Sequence, residues 1–351
     1  MSETTAAEAK DVVDSEDPRS FVWEMLRAGW RFSALYAFVE LDLAGWLREG
    51  PLTVEEIAER AGLDRAALAR LLRTSAGSGL VRTLRAEGGP VRYDLTDVGH
   101  TLRGDVRRSM RSVVIPQGAP DFLEAMGSLD EAVRNGKSPF AARFGSMYGY
   151  LASHPDARHH FDAHMATRSR TIAEATVAAY DFTGLGTIAD IGGGVGTVLA
   201  TILATYPDTR GLLFELEPVI EAASGFLAPL GVADRCELVA GDFFAEVPTA
   251  DAYVLSNIVH NWNDEDALTI LRNVRAALPA HGRVLLLDIL LPEDDRPHLG
   301  KELDMRMLAL YDGARERTES EYLGLLGEAG LRPNRVIELP YALSLVEALP
   351  R

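Results

Sequence analysis

From Asp181 to the C-terminus, short apolar runs alternate with amphipathic stretches of helical spacing. Such alternation leaves little besides βαβ units, which stack into a parallel sheet covered by helices. The chain is therefore α/β over residues 181–351, and everything before that is organised differently. Residues 1–18 are acidic and polar, read as a disordered tail, and have none of the apolar core of a signal peptide. Phe21 to Leu47 is apolar nearly all round, which predicts burial. Local polar sequence cannot cover so much surface, and a second copy of the chain can.

The stretch from Pro51 to Leu84 predicts two short helices and a turn. Thr53 and Glu56 have capping-box spacing, Gly62 sits in the turn, and Asp64 caps the second helix. Leu80–Arg82 and Val91–Leu95 then form a hairpin around Glu87-Gly88-Gly89-Pro90. Together these make a winged helix-turn-helix over residues 19–105. Residues 106–180 read as helical, with loops at Pro116–Pro120 and Gly136–Pro139, and as a link that contributes to a substrate pocket.

A helix-turn-helix with Arg65, Arg70 and Arg73 raises the class of transcriptional regulators. Charge opposes it: 35 basic against 52 acidic residues leave a net −17, which repels phosphate backbones and anionic membranes. Neither nucleic acid nor membrane is an expected partner, and with no run of membrane-spanning length the chain reads as cytoplasmic. The single cysteine, Cys236, forms no intrachain disulfide and no thiolate cluster. His160 and His164 have zinc spacing but lack the glutamate and third ligand of a zinc motif. Asp264, Glu265 and Asp266 suit the first turn of a helix better than magnesium, so no metal is expected.

Thr187–Ile191 is a strand, Gly192-Gly193-Gly194-Val195-Gly196 follows, and a helix begins at Thr197. Glycines let the backbone turn sharply and a ligand approach the peptide plane, while the helix start presents free N–H groups. Asp190 places a carboxylate where a ligand ammonium can meet it. Glu215 ends the next strand about 20 residues on, where an acid suits two ribose hydroxyls. Asp242 and Phe243, after the strand Cys236–Ala240, suit the amino group and face of an adenine. The spacing is not that of a pyrophosphate loop, and no P-loop lysine is present.

Five segments, D-I-G-G-G-V-G (190–196), F-E-L-E-P-V-I (214–220), G-D-F-F (241–244), H-N-W-N-D-E-D (260–266) and R-E-R-T-E-S-E-Y (315–322), stand in one order. In them the chain resembles the metal-independent O-methyltransferases that use S-adenosylmethionine (SAM), the family of plant caffeate-type and bacterial antibiotic-tailoring enzymes. The resemblance runs from about Phe21 to Ala348. It implies a C-terminal Rossmann-like SAM-binding domain and an N-terminal winged-helix domain that forms a homodimer. It implies SAM contacts at Gly192, Glu215, Asp242, Phe243 and Ser256, with Ser169 near the methionine end, and the glycine loop itself adds Asp190 and Gly194. Glu215 replaces the commoner aspartate, and Ser256 stands where the plant enzymes often have lysine.

The implied reaction is methyl transfer to a hydroxyl of a small aromatic acceptor. A phenol with a pKa of about 10 is a poor nucleophile until a base takes its proton. His260 follows the strand Ala252–Leu255; the residues alone leave it a base or a capping histidine, and the resemblance makes it the base. Asp288 and Glu316 match the acids flanking that histidine, and Asn261 departs from the common aspartate. Met165, by resemblance, and Phe122, Met126, Asn261, Met305 and Leu308 are candidates to line the acceptor site. Methylation of nitrogen, carbon or sulfur, or a non-methylating reaction on the same fold, remain the alternatives.

Overall fold

The computed structural model describes residues 17–351, and residues 1–16 of the expected tail lie outside them. By its contacts the chain divides between Ala119 and Pro120, and each unit has its own core.

The first unit holds α1 (Pro18–Glu40), α2 (Leu43–Trp46), β1 (Leu52–Thr53), α3 (Val54–Ala61), α4 (Arg65–Gly77), β2 (Val81–Leu84), β3 (Arg92–Leu95), α5 (Asp97–His100) and α6 (Arg111–Gly118). The capping box is present: Glu56 N–H donates to Thr53 Oγ1 at 3.2 Å, and Thr53 N–H to Glu56 Oε2 at 2.7 Å. Gly62 ends α3 at φ +67°, a conformation that favours glycine, and Asp64 caps α4. Strand order β1-β3-β2 completes the winged helix. Arg65 pairs with Glu55 within the motif instead of presenting a free cation.

Three expectations here need correction. The stretch 21–47 is not buried throughout within one chain. Only its later part enters the core, at Phe38, Val39, Leu43, Ala44 and Leu47, whereas Phe21 (68% exposed), Trp23, Met25 and Trp30 (64%) face outward. Asp17 caps α1 and Pro18 opens it, so these two residues belong to the helix rather than to the tail. Pro116 lies inside α6, not in a loop. So short a helix loses one backbone donor there, and burial of Val114, Ile115 and Pro116 offsets the loss.

The second unit opens with helices α7 (Pro120–Met126), α8 (Leu129–Asn135), α9 (Pro139–Phe144), α10 (Met147–Ser153) and the long α11 (Pro155–Ala179). Then come β4 (Thr187–Ile191), α12 (Thr197–Thr205), β5 (Arg210–Glu215), α13 (Glu217–Leu227), β6 (Cys236–Ala240), β7 (Ala252–Ser256), α14 (Asp264–Ala277) and β8 (Arg283–Leu291). The chain ends with α15 (Leu299–Leu310), β9 (Arg317–Thr318), α16 (Glu319–Glu328), β10 (Leu331–Glu338) and β11 (Leu343–Pro350).

These strands form one sheet in the order β10-β11-β8-β7-β4-β5-β6, with β9 beside β8. Strands β4 to β8 pair in parallel, and β10 and β11 close the edge antiparallel. This is the parallel sheet expected from the alternation, extended by an antiparallel edge, and it fits the Rossmann-like domain that the resemblance implies. The strand order reverses at β4, whose neighbours β5 and β7 lead away on opposite sides. Open α/β sheets bind ligands outside the carboxyl ends of strands at such a point. Here those ends carry the glycine loop after β4 and the Ser256–His260 segment after β7. Asp288 lies within β8, not at its end, because β8 continues to Leu291 by pairing with Leu343 and with β9, both remote in sequence.

Candidate active site

At the carboxyl end of β4 the backbone turns through Gly192, Gly194 and Gly196, all at positive φ. Gly192 N–H donates to Phe214 O at 2.8 Å and stitches the turn to β5. The turn has no room for side chains. A Cβ on Gly192 would fall 2.7 Å from Ile258 Cδ1, and one on Gly193 2.4 Å from the Asp190 carboxyl. Glu215 holds the loop: Oε1 accepts from Gly194 N–H at 3.2 Å and Oε2 from Leu216 N–H at 2.7 Å. Asp242 accepts from Phe244 N–H, while half-buried Phe243 stacks edge-on against Phe244 and Trp262. Ser256 Oγ accepts from the Asn257 side chain at 3.2 Å.

Asp190 is the anomaly of this loop. It is 1% exposed, and among the described residues neither carboxylate oxygen has a hydrogen-bond partner. Burial pushes its carboxyl up to about 7. An orphaned buried carboxylate beside a glycine cradle fits a ligand with a cationic group, as SAM has.

His260 lies in a single 3₁₀ turn, Val259–Asn261, past the end of β7. It is 3% exposed. Its Nδ1 lies 3.1 Å from Glu316 Oε1 and 3.8 Å from Asp288 Oδ1. A carboxylate only accepts, so Nδ1 carries the hydrogen and Nε2 keeps its lone pair. Among the described residues Nε2 has no partner. Asp288, buried in β8, is pushed up to about 6 by burial, while the facing His260 draws it down. Glu316 is buried as well, and its N–H donates to Asp304 Oδ1 at 2.8 Å. The three groups expected to work together do converge, from segments up to 56 residues apart.

Several polar residues escaped sequence reasoning. Arg317, fully buried, donates to Val259 O at 3.0 Å and Trp262 O at 2.7 Å, so it clamps the turn that carries His260. Arg315 N–H donates to the His260 carbonyl at 2.9 Å. Asn257, at φ +55°, accepts from Arg168. A strained non-glycine residue and a buried arginine have no signature in sequence, although both arginines stand in the R-E-R-T segment already quoted.

The acceptor-side candidates are placed unevenly. Met165 and Ser169 are half-buried on α11, Met126 on α7 and Leu308 on α15. Phe122 is buried against Phe140, with ring centroids 5.5 Å apart. Met305 is 39% exposed. Asn261 Nδ2 donates to Asn257 O at 2.9 Å. His160 and His164 lie a turn apart on α11, and no third ligand joins them among the described residues.

The comparison with known families is direct. An O-methyltransferase domain model matches residues 126–332, and an O-methyltransferase dimerisation domain model matches 23–105. The chain belongs to this O-methyltransferase family. It is 39% identical to phenazine O-methyltransferase PhzM of Lysobacter antibioticus, over 94% of this chain and 96% of the relative. It is 36% identical to the 8-amino-8-demethylriboflavin N,N-dimethyltransferase of Streptomyces davaonensis, over 84% and 85%. Among solved structures, the calicheamicin-biosynthesis methyltransferase CalO1 in its S-adenosylhomocysteine (SAH)-bound form superposes with a TM-score of 0.84 at 35% identity, over 96% and 99%. The chain is thus a SAM-dependent O-methyltransferase of secondary metabolism, with SAM as methyl donor and a dimerisation domain at its N-terminal end.

Proposed function

We propose that the chain methylates a hydroxyl of a small aromatic acceptor, with His260 as general base. The observation that carries this is the His260–Glu316 contact, which leaves the Nε2 lone pair of a buried imidazole free to take a proton. As the proton arrives the imidazole gains charge, and Glu316 and Asp288 face it to offset that charge. Asp190, Gly192, Gly194, Glu215, Asp242, Phe243, Ser256 and Ser169 would hold SAM, the orphaned Asp190 carboxylate taking its ammonium. Bound there, SAM supplies a methyl group on a sulfonium. Met165, Met126, Phe122, Leu308, Met305 and Asn261 would shape the acceptor's surroundings. The phenazine-acting relative supports an aromatic acceptor.

A second reading has an observation behind it: the riboflavin-type relative methylates nitrogen. An aromatic amine is already nucleophilic and does not depend on a base in the same way. Incubation with SAM and paired phenol and aniline analogues, read by mass spectrometry as a gain of about 14 mass units, separates the two. O-methylation that depends on His260 is expected. N-methylation that survives His260→Ala would replace the proposal.

A further inference from the structure

The chain leaves β7 through a conformation that side chains rarely adopt. Ser256 is the last β7 residue paired to β8, opposite Leu287. The next residue, Asn257, has φ +55°, in the left-handed region where an L side chain crowds the backbone. Asparagine tolerates that region better than most residues, and glycine adopts it freely. His260 stands three residues further on. An extended residue at 257 would carry the chain on beside β8. The left-handed one turns it aside, so that the short helical turn Val259–Asn261 presents His260 to Glu316.

Asn257 is buried, and its backbone and side chain are both tied down. Its N–H donates to Leu287 O at 2.9 Å, the residue before Asp288 in β8. Its carbonyl accepts from Asn261 Nδ2 at 2.9 Å, which closes the turn around His260. Its side-chain amide donates to Ser256 Oγ at 3.2 Å, and the amide oxygen accepts from Arg168 Nη2. Arg168 arrives from α11, 89 residues earlier, with Met165 one turn before it and Ser169 beside it. On the other side Ile258 covers the glycine loop, where a Cβ on Gly192 would fall 2.7 Å from Ile258 Cδ1. One strained residue thus joins β8 beside Asp288, the turn of His260, the glycine loop and α11. Strain of this kind persists only where the surroundings fix it. Glycine would make the same turn without strain, and what it lacks is the amide that Arg168 holds.

We infer that Asn257 is a positioning residue for methyl transfer: its left-handed backbone and its Arg168-held amide fix where His260 stands relative to the glycine loop and α11. This rests on His260 acting as the base and adds what keeps it in register with the donor. Arg317 holds the carbonyls of Val259 and Trp262, whereas Asn257 sets where the same turn begins. Alignment is what such a residue contributes, since a misplacement on the order of 1 Å costs about 10²-fold in rate.

The test is nuclear magnetic resonance of full-length protein with isotopically labelled histidine, saturated with SAH. The His260 Nδ1–H bonded to Glu316 should give a downfield proton resonance, assigned by its loss in His260→Ala. Asn257→Gly keeps the backbone turn and removes the amide. It should shift or broaden that resonance and leave SAH affinity, by calorimetry, within threefold. Turnover should fall tenfold or more on the phenol that the mass-spectrometric comparison identifies as an acceptor. Arg168→Gln should do the same, and the two changes together should be no worse than either, because they remove one bond. If the glycine variant does not fold, Arg168→Gln carries the same test. An unmoved resonance with turnover within threefold would overturn the inference. So would SAH binding weakened tenfold with the resonance unmoved, since Asn257 would then serve the donor alone. Failure of the base reading looks different: the resonance responds to Asn257→Gly, yet His260→Ala turns over like the wild type. That result leaves Asn257 fixing the imidazole and removes the imidazole's role as base.

Discussion

Arg317 reaches Asp264 with two nitrogens, Nε at 2.9 Å and Nη2 at 2.8 Å, and the rest of its fork holds the backbone on both sides of His260. Arg317 is fully buried, whereas the Asp264 side chain is half exposed. The turn that carries His260 thus hangs from a residue of β9 rather than from its own neighbours.

Arg317→Met should therefore do two things. It leaves the buried Val259 carbonyl without a donor, which costs about 2–4 kcal/mol in denaturant unfolding. It also loosens His260, so turnover should fall while SAH affinity, set on β4 and β5, changes little. Arg317→Lys should not rescue turnover, because an ammonium cannot hold both carbonyls and Asp264 at once. Full activity in the lysine variant would remove the clamp from the account.

His260→Ala should lower turnover by on the order of 10²–10⁴, the usual range for a lost acid–base group. SAH affinity should stay within about threefold. The deficit should shrink as pH rises towards the phenol's own pKa, where solvent already ionises the acceptor. Steady-state rates from neutral to alkaline pH measure this, and a loss independent of pH contradicts the base role.

Glu316→Gln should cost more than Asp288→Asn. A glutamine can donate to Nδ1 and strand the imidazole hydrogen on Nε2, the wrong tautomer, so a loss on the order of 10-fold to 100-fold is expected. Asp288 has no such bond, and its carboxyl is pushed up to about 6. Below that pH it is neutral and no longer offsets imidazolium charge. Asp288→Asn should thus reduce the rate at pH 8 by a few-fold and flatten the acid limb of the kcat/KM profile near 6. Equal effects of the two variants would contradict these separate roles.

Asp190 should couple ligand binding to stability. Its folded value of about 7 lies above the ordinary 3.8, so folding favours the protonated form. Its contribution is fully present below about 4 and is lost as pH rises through about 7. At pH 8, Asp190→Asn should stabilise the ligand-free protein by about 1–3 kcal/mol, seen as a higher Tm. If the proposed ammonium contact holds, SAM requires the ionised form, so wild-type SAM affinity should weaken roughly tenfold between pH 8 and pH 6, and the asparagine variant should bind weakly at both. Calorimetry at the two pH values checks this, and pH-independent SAM affinity would contradict the ammonium contact.

The exposed face of α1 should be a subunit interface. Light scattering is expected to give about twice the chain mass of 38.2 kDa. Trp30→Asp together with Trp23→Asp should shift the mass towards one chain, since both side chains are more than half exposed in the single chain. A dimer that survives both changes would have to be built elsewhere.

Much of this was legible in sequence because local rules carry it. Periodicity announced the parallel sheet, the capping box and Gly62 announced the winged helix, and the glycine run announced a ligand turn whose φ values only glycine adopts readily. His260 and Glu316 stand in ordered motifs, which need only residue types at fixed spacing, while Asp288 follows an apolar run and takes its role from the resemblance. What sequence left open depends on approach through space. The convergence of three segments on Nδ1, the burial that raises Asp288 and Asp190, and the depth of Arg317 arise only when β7, β8 and β9 lie side by side. Periodicity also predicted burial for α1, but it measures apolarity and not what covers it, so Trp30 and Phe21 read the same as Phe38. Arg168 and Arg306 show the limit most clearly. Each is an ordinary helical arginine in the sequence, and only tertiary packing gives Arg168 the Asn257 amide oxygen and buries Arg306 Nε without a hydrogen-bond partner among the described residues.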